Sequence, residues 1–85
     1  MAFGRKEKPE DGFNETPLEK EVREMLNTVY DALEFKGYHP LNQIWLYLMT
    51  GDETYITTYN HARELITAYD HEEVGRCVLA AYLRR

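Results

Sequence analysis

Thr16-Pro17-Leu18-Glu19-Lys20-Glu21-Val22-Arg23-Glu24-Met25-Leu26-Asn27-Thr28-Val29-Tyr30-Asp31-Ala32-Leu33-Glu34-Phe35-Lys36-Gly37 decides the fold class. Its first four residues combine a threonine that can cap a helix, a proline suited to the first helical position and a glutamate at the third. That is a capping box, in which side chains satisfy amide donors that have no partner inside the helix. Leu18, Val22, Met25, Leu26, Val29 and Leu33 then recur at spacings of three and four, which makes one apolar stripe. Gly37 suits the left-handed residue that closes such a helix. The spacing predicts a helix over residues 17–36.

The same grammar continues downstream. His39-Pro40 starts a second helix with proline in its first turn, and Gly51 ends it. Leu41, Ile44, Trp45 and Leu48 share one side of it, while Tyr47 and Met49 extend its apolar surface to another. A helix apolar on more than one face is expected to be central and buried. Residues 52–56 fit one helical turn capped by Asp52. A third helix is expected over residues 58–69, with Ala62, Leu65, Ile66 and Tyr69 inward. Asp70-His71-Glu72-Glu73 is a second, acidic capping box, and it opens a last helix with Val74, Cys77, Val78, Ala81 and Tyr82 as its stripe. Arg84 and Arg85 complement the negative end of that helix. No segment alternates with the period of two that a strand requires. The expected fold is all-α, a compact bundle of four to five short helices.

Residues 1–15 read differently. They hold Gly4, Pro9 and Gly12, the cations Arg5, Lys6 and Lys8, and few apolar side chains besides Phe3 and Phe13. They are expected to form a flexible N-terminal arm, leaving residues 16–85 as a helical dimerisation and regulatory domain.

Composition narrows the function. The chain has 85 residues, enough for one domain and too few for two independent cores. Its single cysteine, Cys77, cannot form an internal disulfide, so self-association is the remaining aid to stability. A homodimer is the expectation. No apolar run approaches the ~18 residues of a membrane span. The N-terminus lacks the apolar region of a secretion signal, so a cytoplasmic protein is expected. A net charge of −5 argues against nucleic acid as the partner, because phosphate neutralisation needs basic surface.

A search for chemistry returns little. His39, His61 and His71 lack the spacing of a metal site, and with one cysteine they point to no zinc centre. They read better as a helix-entry residue (His39) and two surface positions (His61 and His71). Cys77 reads as a small side chain on an apolar stripe. The sequence has no serine and no glycine-rich phosphate loop. The acidic residues of the first helix pair at helical spacing with Lys20 or Arg23, as on a solvated face. No catalytic residue, metal or cofactor is expected.

The corner Gly37-Tyr38-His39-Pro40-Leu41-Asn42-Gln43-Ile44 holds two amides, a tyrosine and a histidine between two helices. One reading is structural: Gly37 and Pro40 set the turn, and the amides of Asn42 and Gln43 bond the chain entering it. The other is a partner-contacting patch with Tyr38 and Trp45, residue types enriched where binding energy concentrates.

That corner, together with Tyr47-Leu48, Gly51-Asp52, Tyr55-Ile56 and Ala62-Arg63, resembles the IreB/ReoM family of regulatory phosphoproteins over residues 18–83. The resemblance implies a small all-helical homodimer without enzymatic activity. It further implies control by a membrane serine/threonine kinase and its partner phosphatase. In one branch the unphosphorylated form helps a protease degrade the transferase that starts peptidoglycan synthesis. The resemblance places Arg63 among functional arginines, while Thr58, Thr67 and His71 stand at the other matching positions. The family's phosphoacceptor threonines lie in the arm, where this chain has none; Thr16 is the one threonine ahead of the first helix and the candidate phosphorylation site. The function expected is therefore a cytoplasmic adaptor of cell-wall homeostasis acting by protein contacts. The alternatives are a helix-turn-helix DNA-binding domain and an interaction module of the same fold without kinase control.

Overall fold

The computed structural model describes residues 15–84. The arm expected over residues 1–15 lies outside the described residues except for Glu15, and Arg85 lies outside them too. The described residues form four α-helices and two 3-10 turns, with no strand among them.

Helix α1, Pro17–Phe35, starts as its sequence dictates. The Thr16 hydroxyl accepts from the Glu19 amide at 3.0 Å, and the Glu19 carboxylate accepts from the Thr16 amide at 3.1 Å. Its end is equally local. Gly37, at φ +86°, donates to the Glu34 carbonyl, and Tyr38 donates to that of Leu33, each at 3.0 Å. This paired closure satisfies the last carbonyls and needs a left-handed residue, which glycine supplies without strain. Val22, Met25, Val29 and Leu33 of the predicted stripe are buried, with Ala32 beside them, whereas Leu26 is partly buried and Leu18 is exposed. The carboxylates behave otherwise than helical spacing suggests. Arg23 pairs with Glu15 ahead of the helix, and Glu21 accepts from the Tyr69 hydroxyl.

Helix α2, Pro40–Thr50, is capped by the His39 ring, whose Nδ1 accepts from the Asn42 amide at 3.4 Å, and it ends at left-handed Gly51. A 3-10 turn, Glu53–Tyr55, follows. The Asp52 carboxylate fixes it by accepting from both the amide and the hydroxyl of Thr54. The third predicted helix is shorter than its sequence pattern. A 3-10 turn at Tyr59–His61 leads into helix α3, Ala62–Thr67, and both Asn60 (φ +54°) and His61 (φ +60°) are left-handed. Ala62 and Ile66 are buried as expected, whereas Leu65 turns to the surface. Helix α4, His71–Leu83, starts with the Asp70 carboxylate accepting from the Glu73 amide. Of its expected stripe, Val74 is fully buried and Cys77 half-buried, but Val78 and Tyr82 are exposed.

Helix α1 is the axis of the bundle and packs against α2, α3 and α4, while α2 and α4 also meet. Among the described residues Leu33, Ile56, Ile66, Val29 and Val74 are the largest fully buried side chains. This corrects the expectation that the second helix is the central one. In α2 only Tyr47 is buried; Leu41, Trp45 and Met49 face out. The helix supplies Ile44, Tyr47 and Leu48 to one side and leaves its second apolar side uncovered.

Candidate protein-binding surfaces

The corner residues divide by role. Gly37 and Pro40 shape the backbone, as read from the sequence. Gln43 does not bond the chain entering the corner. Its side-chain amide donates to the Tyr55 carbonyl at 3.1 Å, twelve residues away. Arg63 does the same for the next residue, donating from Nε to the Ile56 carbonyl at 2.8 Å. Two side chains from different helices thus hold adjacent carbonyls of the segment linking α2 to α3, and between them Ile56 is fully buried. Asn42 uses its backbone amide to meet His39, and its side chain is exposed.

Arg63 is therefore anchored, with part of its guanidinium on the surface. It makes no ion pair with Glu64, which is held at 2.8 Å by His61. Arg63 is also the only basic residue of the six-residue α3, which gives a poor electrostatic footprint for a helix reading DNA.

Tyr38 and Trp45 are both exposed but belong to different places. Trp45 is 58% exposed and lines two open grooves. One, of about 330 Å³, runs between α1 and α2 past Leu26, Tyr30, Leu41 and Val78. The other, of about 450 Å³, lies between α2 and α4 beside Met49, Gly75 and Leu79. A third, of about 410 Å³, follows between α1 and α4 over Val22, Leu26, Cys77, Val78 and Ala81. These grooves share side chains, so they form one continuous apolar face, of the kind that marks an interface. Neither Tyr38 nor Arg63 lines them.

A second exposed aromatic group escaped the sequence reading. Phe35 stacks on Tyr59 with ring centroids 4.8 Å apart and planes 15° from parallel, and the Lys36 ammonium lies 5.7 Å from the Tyr59 centroid. No spacing rule links positions 35 and 59; only the turn at Tyr59–His61 joins them. His71 is not the surface position its sequence context suggests, but is partly buried. Its Nδ1 lies 2.8 Å from the Leu48 carbonyl, and its ring meets Tyr47 edge-on, tying α4 to the end of α2.

The titrating groups are tuned by neighbours. Arg23 hydrogen-bonds Glu15 through two nitrogens, at 2.8 and 3.0 Å, which holds the Glu15 carboxyl below its ordinary value. The Thr54 hydroxyl and amide lower Asp52. Burial raises the Cys77 thiol, which makes it a weaker nucleophile. Tyr69 is raised because its hydroxyl donates to the Glu21 carboxylate. Among the described residues no group of three or more His, Cys, Asp or Glu is placed to hold a metal ion. No helix among them is long and apolar enough to cross a membrane.

These surfaces offer apolar and aromatic contact area. The model of the family described as IreB regulatory phosphoprotein matches residues 11–84, which takes in all four helices and the corner. The chain belongs to the IreB family of regulatory phosphoproteins.

Proposed function

We propose that this chain is a non-enzymatic, homodimeric cytoplasmic protein that controls cell-wall (peptidoglycan) synthesis through protein contacts. Its regulators are a serine/threonine kinase and the partner phosphatase, and its output passes through a protease-adaptor system. The observation that carries this reading is the family match over residues 11–84. Two surfaces support it. The apolar face around Trp45 suits a second copy of the chain, and the region of Arg63 and the Phe35–Tyr59 stack suits a client protein. Arg63→Ala removes a surface cation together with the bond to Ile56, so Arg63→Lys is the cleaner probe of client contact, since it keeps the charge.

Thr16 is the proposed phosphoacceptor. A phosphate there meets the positive end of a 19-residue helix, which is favourable, but displaces the Glu19 carboxylate from the capping box by like-charge repulsion. The same observation favours a second reading, an interaction module of this fold without kinase control, in which Thr16 serves only as a cap. The test has two parts. Deleting the gene should change β-lactam tolerance, and the parent chain should restore it; unchanged tolerance would remove the cell-wall reading. Mass spectrometry after reaction with the cognate kinase should find phosphate on Thr16; phosphate only on Thr50, Thr54, Thr57 or Thr58 would refute the Thr16 switch, and no phosphate on any threonine selects the module without kinase control.

A further inference from the structure

The chain has no serine and seven threonines, all of them within the described residues. Serine/threonine phosphorylation of this chain is therefore confined to seven hydroxyls. Six of the seven are hydrogen-bonded. Thr16 accepts from the Glu19 amide in the capping box, and Thr57 accepts from the Tyr59 amide. Thr28, Thr50 and Thr67 donate to the carbonyls of Glu24, Leu46 and Arg63, one helical turn back, and Thr54 donates to the Asp52 carboxylate. Thr58 differs. It is exposed, and its hydroxyl makes no hydrogen bond among the described residues, not even to cap the 3-10 turn that follows it. Its backbone runs between the turns Glu53–Tyr55 and Tyr59–His61, outside any helix and beyond the extended Ile56. Cations border this stretch. The Lys36 ammonium lies over the ring of Tyr59, the next residue, and pairs with no carboxylate among the described residues. Arg63 reaches back to the carbonyl of Ile56, two residues before Thr58.

We propose that Thr58 is a phosphoacceptor of this chain, a second one beside Thr16. The γ-phosphoryl group of a nucleoside triphosphate leaves its bond to the diphosphate and joins Thr58 Oγ1, while the hydroxyl proton passes to the catalytic carboxylate of the kinase. At Thr58 no hydrogen bond has to break before the hydroxyl can meet that carboxylate. The product carries about −1.5 to −2 charges. They fall beside Tyr59, Lys36 and Arg63, on the surface proposed to meet a client protein, where a new dianion changes the sign of what the client faces. The inference rests on the proposed kinase control and is independent of Thr16, since the two threonines lie on separate elements.

The full chain, as parent and as Thr58→Val, is incubated with the cognate kinase and ATP, with autophosphorylation of the kinase showing that it is active. Site-resolved mass spectrometry at early times should find phosphate on Thr58 of the parent. It should accumulate there roughly tenfold faster than on Thr28, Thr50, Thr54 or Thr67, whose hydrogen bonds must open first. Thr58→Val should take up correspondingly less phosphate in total. Phosphate on Thr16 with Thr58 unmodified would overturn this inference and leave kinase control standing. Phosphate on neither, from an active kinase, would overturn both. Phosphate on Thr58 no faster than on the bonded threonines, or an uptake unchanged in Thr58→Val, would also overturn the proposal, because the free hydroxyl would then not select the site.

Discussion

Gly51 and His71 show how one position is fixed by a contact that spacing does not reveal. Gly51 ends α2 at φ +76°, and a Cβ there would lie 2.8 Å from Nε2 of His71 and 3.0 Å from its Cδ2. The ring cannot easily give way, because its other nitrogen is held at the Leu48 carbonyl. Gly37 has a similar φ of +86°, but a Cβ there meets nothing within 4 Å. Gly37→Ala therefore carries backbone strain alone, about 1–2 kcal/mol. Gly51→Ala adds a steric clash and should cost about 2–4 kcal/mol in all. Urea denaturation of the two variants checks the difference; equal losses would mean that the His71 contact is soft.

Among the elements, the strongest contrast lies in the segment after Ile56. Asn60 and His61 are consecutive left-handed residues without being glycine, and they break a predicted continuous helix into a 3-10 turn and the six-residue α3. Asparagine and histidine tolerate this region better than most residues, and a β-branched residue tolerates it worst. Asn60→Gly should leave stability nearly unchanged, whereas Asn60→Val should lower it by about 1–2 kcal/mol, measured as the shift in unfolding midpoint. If valine is tolerated as well as glycine, the kink is not a constraint of the fold.

The helices that were legible in the sequence are those whose ends are set within four residues. The Thr16–Glu19 box, the His39-Pro40 start and the Gly37 and Gly51 endings depend only on neighbours along the chain. What stayed hidden depends on residues far apart. The kink at Asn60 lets Ala62 and Ile66 reach the core while Arg63 holds the Ile56 carbonyl. His71 bonds a carbonyl 23 residues away, and Phe35 stacks on a ring 24 positions later. The sequence of helix α2 suggests a central helix because an apolar surface on two sides looks alike in sequence whether it is buried or exposed. Trp45 and Tyr38 stand out in the sequence by residue type and both are exposed, but their separation onto different surfaces follows from the packing of α2 against α1 and α4.

At the scale of the molecule, acid should loosen the fold in a defined direction. Glu15 and Asp52 have folded-state carboxyls held below their ordinary values by Arg23 and Thr54 respectively. A depressed carboxyl contributes stability that is fully present above its unfolded value, about 4, and is lost as pH falls through the lower folded value. The melting temperature should therefore drop between pH 5 and pH 3 (roughly the range these carboxyls span), and Arg23→Gln should flatten part of that drop. A melting temperature independent of pH there would contradict the pairing. The central claim concerns the uncovered side of α2. Trp45 is 58% exposed and Met49 62%, beside exposed Leu79, against ten buried hydrophobic core residues among the described residues. Sedimentation equilibrium of the full chain at micromolar concentration tests it most directly, with Trp45→Glu run alongside. The parent should report about twice the 10.1 kDa chain mass and Trp45→Glu the single mass, with unchanged helical content; a parent that sediments as a 10.1 kDa monomer would contradict it.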